Sequence, residues 1–215
     1  FADCIIGEDS ETNFQFSIFN FQFCNFQSIF KQNMNNFKTK EYKRLLLKGK
    51  TAVFIDWANV YGWSKSLKRE IDPAKLLAHL KTYQEIIDIR LYFGEDTHPK
   101  SIEFLQNAEH LGYSIIRKPV KYIPVAEVEG EKLLRRKCDF DMEVCIDVHA
   151  FLAQDRNVQS FVFFTGDGDY EPLYKMLIGL CKQIIVVYTK GHLGREIWAM
   201  KRGIFKVELK NLMEL

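Results

Sequence analysis

A chain of 215 residues has room for one ordinary domain with a sizeable core. Its formal charge of +2 lies too near neutrality to argue for a nucleic-acid partner, which would need a local patch. The 47% hydrophobic content is that of a globular protein, no run of about 18 apolar residues exists to span a membrane, and nothing reads as a signal peptide, so the cytosol is the expected compartment.

The first 50 residues differ in composition from the rest. Half of the 18 phenylalanines fall there, mixed with Asn and Gln, and Phe19, Phe21 and Phe23 alternate as in a strand. A packed hairpin or helix and an aggregation-prone extension are both open readings, and residues 14–30 offer a contact for a protein partner or a second copy. The chain starts at Phe1 and its first methionine is Met34. Residues 1–33 are therefore expected to come from upstream translation, or the chain to be a fragment. Residues 38–50, with Lys38, Lys40, Lys43, Arg44, Lys48 and Lys50, form a basic lead-in expected as a solvated helix face or a contact for phosphates. The folded domain is expected over residues 51–215.

From residue 51 the pattern becomes regular. Thr51 to Asp56 is a short apolar run ending in an acid, the mark of a buried strand. Asp72-Pro73 opens a helix as N-cap and first helical residue, with Leu76, Leu77 and Leu80 as its apolar stripe. Ile86 to Phe93 reads as a strand closed by Gly94. Pro99 to Leu111 reads as a helix stopped by Gly112, and Tyr113 to Arg117 as a third strand. Residues 118–137, polar and basic with Pro119 and Pro124, read as an insertion or long loop. A helix over Asp139–Leu152, a strand over Val158–Phe164, a helix over Tyr170–Leu180, a strand over Gln183–Tyr188, a helix over Leu193–Met200 and a strand over Ile204–Val207 complete the series. The alternation predicts an α/β fold, a mainly parallel central sheet with helices on both faces. Sites in open sheets of this kind lie beyond the carboxyl ends of the strands.

Aspartates occupy those ends. Asp56 ends the first strand, and Asp167 and Asp169 follow the 158–164 strand in Thr165-Gly166-Asp167-Gly168-Asp169. Asp139 and Asp141 open the helix before that strand. Each acid alone could be a turn former or a helix cap. Gathered on one edge they would repel one another, and a hard divalent cation, Mg²⁺ or Mn²⁺, would remove the conflict. Asn59 could bond a carboxylate or a phosphate, or shape a turn. Asp147, six residues after Asp141, is a supporting candidate or a solvated acid. The five cysteines form no C-x-x-C pair and no zinc-type cluster with histidine, so they read as reduced thiols.

Three segments resemble one family. Phe54-Ile55-Asp56-Trp57-Ala58-Asn59 is similar to the F-I-D-G-x-N opening of NYN domains, a branch of the PIN-like nuclease superfamily. Asp139-Phe140-Asp141 through Asp147 resembles that family's D-V-x-hydrophobic-x-x-x-D helix start. Thr165 through Leu173 resembles its S-G-D-S-D-F-x-P-L motif. The resemblance spans about residues 51–207, with the three motifs in the family's order. Two departures are Trp57 for a small residue, offering a narrower entrance or a stacking face, and Thr165 for Ser, which keeps the hydroxyl.

The resemblance implies a PIN-like three-layer sandwich and metal-dependent cleavage of RNA. It carries the acidic cluster to Asp56, Asp141, Asp167 and Asp169, with Asp56, Asp141 and Asp169 holding Mg²⁺ or Mn²⁺ and Asn59, Asp147 and Thr165 in support. For grip on single-stranded RNA the expected residues are Lys118, Lys121, Arg135, Arg136, Lys137, Lys190 and Arg195, with Trp57 as a stacking face and Tyr61, Trp63 and Tyr122 as further candidates. The alternative is a non-catalytic module of the same fold that holds RNA or a protein partner. A D-x-D phosphatase is disfavoured by Ala58 at the second acid's position, and a dinucleotide binder by the lack of G-x-G-x-x-G.

Overall fold

A computed structural model describes residues 42–128, 131–154 and 157–214. The Phe-rich segment and the start of the basic lead-in lie outside the described residues. The rest of the lead-in corrects the expectation of a solvated helix, because residues 42–48 are not helical. Leu45 is buried and its N–H donates to the Tyr83 hydroxyl, while the Lys48 N–H donates to Ser160 and Gln183. One apolar residue among the cations pins the segment to the domain, which periodicity over so short a stretch does not reveal.

Six strands form the central sheet. They are β1 (Thr51–Asp56), β2 (Ile86–Glu95), β3 (Ser114–Pro119), β6 (Ser160–Phe164), β7 (Gln183–Tyr188) and β8 (Ile204–Glu208). They stand in the order β3-β2-β1-β6-β7-β8, and every neighbouring pair is parallel. The first three strands build outward from β1 in one direction and the last three in the other. The crevice between β1 and β6 is therefore the topological switch point, where such sheets place their sites.

Strand alternation assigns the two faces. Val53, Ile55, Val162 and Phe164 pack with helices α1 (Trp57–Leu67), α2 (Pro73–Leu80), α3 (Pro99–Leu111) and the final turn α7 (Leu209–Leu212). Ala52, Phe54, Phe161 and Phe163 face the other way, onto α4 (Asp141–Ala153), α5 (Glu171–Gly179) and α6 (Arg195–Ala199). The result is the expected three-layer sandwich. Burial on both faces explains why β1 and β6 are continuous apolar runs rather than alternating ones.

Helix α1 is absent from the sequence-based series. It begins at once after β1, with Asp56 as N-cap, and buries Trp57, Val60 and Trp63 along one stripe. Residues 118–137 are not a loop either. After β3, strands β4 (Lys121–Val128) and β5 (Glu131–Lys137) pair antiparallel as a separate ribbon, with a register shift beside Pro124. Pro cannot donate to a ladder, and this one sits at an irregularity, where strands tolerate it.

Asp147 is not a solvated acid. Its carboxylate pairs with Arg90 at 2.5 Å and accepts from the Tyr92 hydroxyl at 2.6 Å. Arg90 also lies over the Phe151 ring. This network ties α4 to β2. Asp147→Ala would leave the Arg90 guanidinium short of its main partner. Both side chains are about four-fifths buried, so the loss is expected near the low end for a broken buried pair, about 2–3 kcal/mol in urea unfolding. A loss under about 0.5 kcal/mol would mean that the pair is screened like a surface one.

Candidate functional site

The site starts from Asp56. Its register partner on β2 is Tyr92, and on the β6 side Ile55 pairs with Phe164, which leaves Asp56 level with Thr165 where the two strands end. As N-cap of α1 its carboxylate accepts from the N–H groups of Ala58 at 3.0 Å and Asn59 at 3.3 Å. The Asn59 amide donates to the other carboxylate oxygen at 2.8 Å. Of the open readings for Asn59, the carboxylate partner is the one observed. Its amide oxygen also accepts from the Gly166 N–H at 3.4 Å, linking the ends of β1 and β6.

The turn after β6 is built by its own polar groups. Thr165 is buried, and its hydroxyl accepts from the Asp167 N–H at 3.2 Å. Asp167 caps the 3₁₀ turn Gly168–Tyr170 by accepting from the Asp169 N–H at 3.0 Å. Asp169 projects into solvent. The Gly166 position requires glycine, and the Gly168 position brings the Glu196 side chain close. A Cβ on Gly166 would collide with the His192 carbonyl oxygen, and one on Gly168 with the Glu196 carboxylate. The Gly194 N–H closes the contact by donating to the Gly166 carbonyl at 2.7 Å. The loop after β7 is thereby locked against the acidic turn.

Asp141 enters from the first turn of α4, while Asp139 stands outside. The latter does not cap the helix, whose N-cap is Phe140, and it pairs instead with Lys137 at 3.0 Å. The Asp141, Asp56 and Asp167 carboxylates share a field. Burial raises the Asp56 pKa against the pull of Asn59 and Ala58, and Asp167 adds to the rise. Burial also raises that of Asp141; Tyr170 opposes this, and Asp167, Asp139 and Asp169 add to it. The structure thus brings Asp56, Asp141, Asp167 and Asp169 to one edge and leaves Asp147 on the β2 side.

Hard oxygen donors that repel one another suit a hard divalent cation. Among the described residues no three acid, histidine or cysteine side chains stand close enough to cage one ion as placed. A Mg²⁺-sized ion is commonly held by one or two carboxylates with water completing its shell, so the donor set fits without a closed cage.

Several expected contacts fall elsewhere. Trp57 is 5% exposed, its ring 4.7 Å from that of Phe104, so it is core and offers no stacking face. Trp63 is fully buried, and Tyr122 is exposed with its hydroxyl donating to Asp96 at 3.4 Å. Tyr61 is 64% exposed on α1, the helix that Asp56 caps. Lys118 is not a free cation: it holds Glu143 at 2.6 Å and lies over the Phe140 ring. Arg136 bonds Asp96 and the Gly94 carbonyl, anchoring the ribbon to the end of β2. Lys121, Arg135, Lys190 and Arg195 are exposed and form no ion pair among the described residues. Two groups escaped the sequence reading. Glu196 brings a further acid beside Gly168, signalled only by its place just after the β7 loop. Tyr170 sets a buried hydroxyl against the acids.

Comparison with known proteins bears on the family and the fold. Residues 50–199 match the family model described as the NYN domain. The chain is 28% identical over 148 residues to the low amplitude and bright protein LabA of Synechococcus elongatus, covering 68% of this chain and 77% of that protein. It also resembles the crystal structure of a protein of unknown function from Vibrio parahaemolyticus, with a TM-score of 0.57 at 18% identity over 80% of this chain and all of the other. At that identity the likeness speaks for the fold.

The raised Asp56 pKa makes a stability statement. The folded state binds more protons than the unfolded one between the ordinary and the raised value, so stability falls as pH rises through that window. Asp56→Asn keeps a good N-cap and removes the buried charge, while giving up the hydrogen bond from the Asn59 amide. Without divalent ions it is expected to stabilise the protein at pH 7 by about 1 kcal/mol, or roughly 2–4 °C in the unfolding midpoint. The gain should vanish below the ordinary aspartate pKa. A gain that persists there would mean that charge is not its source.

Proposed function

The chain belongs to the NYN domain family, and we propose that it is a metal-dependent ribonuclease cutting RNA phosphodiester bonds at the β1–β6 edge. The observation that carries the reading is the meeting of Asp56, Asp141, Asp167 and Asp169 at the switch point of the sheet, where burial and mutual repulsion raise the pKa of both Asp56 and Asp141. Acids perturbed together by burial and like charge mark a candidate functional site.

Asp56, Asp141 and Asp169 would hold Mg²⁺ or Mn²⁺, directly or through water. When bound, the ion supplies a water of lowered pKa and neutralises charge on the phosphate. The protein's own groups do the positioning. Asn59 keeps one Asp56 oxygen engaged and fixes its orientation. Asp167, held by the Asp169 N–H, would accept a hydrogen bond from the attacking water. Lys121, Arg135, Lys190 and Arg195 would track the phosphates without reading bases, and Tyr61 would stack on an unpaired base. A single strand suits these contacts best, because a base must be unpaired to reach Tyr61.

The purified chain, incubated with labelled single-stranded RNA and Mn²⁺, is expected to cleave it. EDTA should abolish cleavage, and Asp169→Asn should slow it by about two orders of magnitude or more with the fold intact. RNA that is bound but left whole under every condition would favour a binding module built on the same fold.

A further inference from the structure

We propose that Tyr170 is a positioning residue of the acid cluster: its hydroxyl donates to one oxygen of Asp141 and turns the other toward a bound divalent cation. The inference rests on the metal reading of the site given above.

It starts from an asymmetry among the acids. Asp56 accepts three hydrogen bonds, from Ala58, from the Asn59 backbone and from the Asn59 side chain. Asp167 accepts one from the Asp169 N–H. Asp141 caps nothing, since α4 has no side-chain cap, and no backbone N–H among the described residues is aimed at its carboxylate. A ligand carboxylate without a partner has no fixed orientation, and metal sites normally supply one through a neighbouring donor.

The donor present is Tyr170. Its ring is 1% exposed in the apolar layer between the sheet and α5, stacked beside Tyr174 at a centroid distance of 6.2 Å. Its hydroxyl is buried and makes no hydrogen bond of good length and angle as placed. An unsatisfied buried hydroxyl is unfavourable, and such a group calls for an explanation. Asp56 and Asp141 are the acids whose charge acts on this hydroxyl, and a hydrogen bond from it opposes the rise in the Asp141 pKa. Asp56 has its partners already. A turn of the Asp141 carboxylate, whose last torsion is broad, completes the bond.

The residue type points the same way. The family motif quoted above places Phe at this position, and Tyr170 fills it with the same ring plus the hydroxyl. For packing alone the oxygen is a liability. For orienting Asp141 it is the useful atom.

The test is calorimetric titration of the full chain with MnCl₂ alone, comparing wild type, Tyr170→Phe, Asp141→Asn and the double variant, together with the unfolding midpoint of each without metal. Tyr170→Phe is expected to weaken Mn²⁺ binding about 10-fold while its metal-free midpoint stays equal or rises. In the Asp141→Asn background the same change should have little further effect, because the two residues act as one unit. Equal Mn²⁺ affinity for wild type and Tyr170→Phe would overturn the proposal and leave the metal reading standing. An equal loss in both backgrounds would also overturn it, since the hydroxyl would then act elsewhere than through Asp141. No Mn²⁺ binding by the wild type would bring down the metal reading and this inference with it.

Discussion

Crowding of carboxylates where β1 and β6 end is the constraint around which the rest of the structure is arranged. A parallel sheet covered by helices on both faces has dry strands, and its backbone reaches solvent only at the strand ends. At the switch point the chain leaves β1 toward one face of the sheet and β6 toward the other. Four aspartates gather there, and several hydrogen bonds hold them. The α1 N-terminus and Asn59 secure Asp56, and the 3₁₀ turn secures Asp167. Glycines at 166, 168 and 194 let the β7 loop close against that turn. Burial and like charge oppose the arrangement, as the raised pKa of Asp56 and Asp141 records. Strain held at one edge while the core is well packed is the usual mark of a functional region.

The core carries that cost through its two apolar layers. Phe54 sits at the centre of one, with Phe163 at 5.1 Å, Phe151 at 5.8 Å and Tyr92 at 6.4 Å between ring centroids. Tyr92 then passes the structure on to function. Its ring belongs to the core, and its hydroxyl reaches Asp147 on the helix that starts at Asp141. Together with the Arg90 pair, this contact holds α4 against β2.

Much of this was legible in the residues. The uninterrupted apolar runs of β1 and β6, the Asp72-Pro73 start and the Gly112 stop give the order of elements, and the order gives the sheet. Four misreadings have physical causes. Helix α1 follows β1 without a break, and its Trp57, Val60 and Trp63 stripe is crowded with aromatic and β-branched residues that also suit a strand. The β4–β5 ribbon was hidden by Pro119 and Pro124, read as breakers although one ends a strand and the other sits beside a register shift. Trp57 looked like a stacking face because its type allows both roles. Its burial depends on Phe104, which arrives from a helix more than 40 residues later. Lys118 is a similar case, since Glu143 neutralises it from a distant element. Charge and aromaticity can be counted in a sequence, whereas their partners can be seen only in the fold.

The central claim is that the acids at the β1–β6 edge form an incomplete electrostatic unit which a divalent cation completes. The most direct measurement is the thermal unfolding midpoint of the full chain as Mg²⁺ or Mn²⁺ is raised, with NaCl controls at matched ionic strength to remove simple screening. The account predicts a midpoint that climbs with the logarithm of divalent concentration beyond the NaCl control, because an ion bound only by the folded state stabilises it by mass action. A midpoint that follows ionic strength alone up to about 10 mM divalent ion would contradict it, and the aspartates would then be caps and turn formers that happen to share an edge.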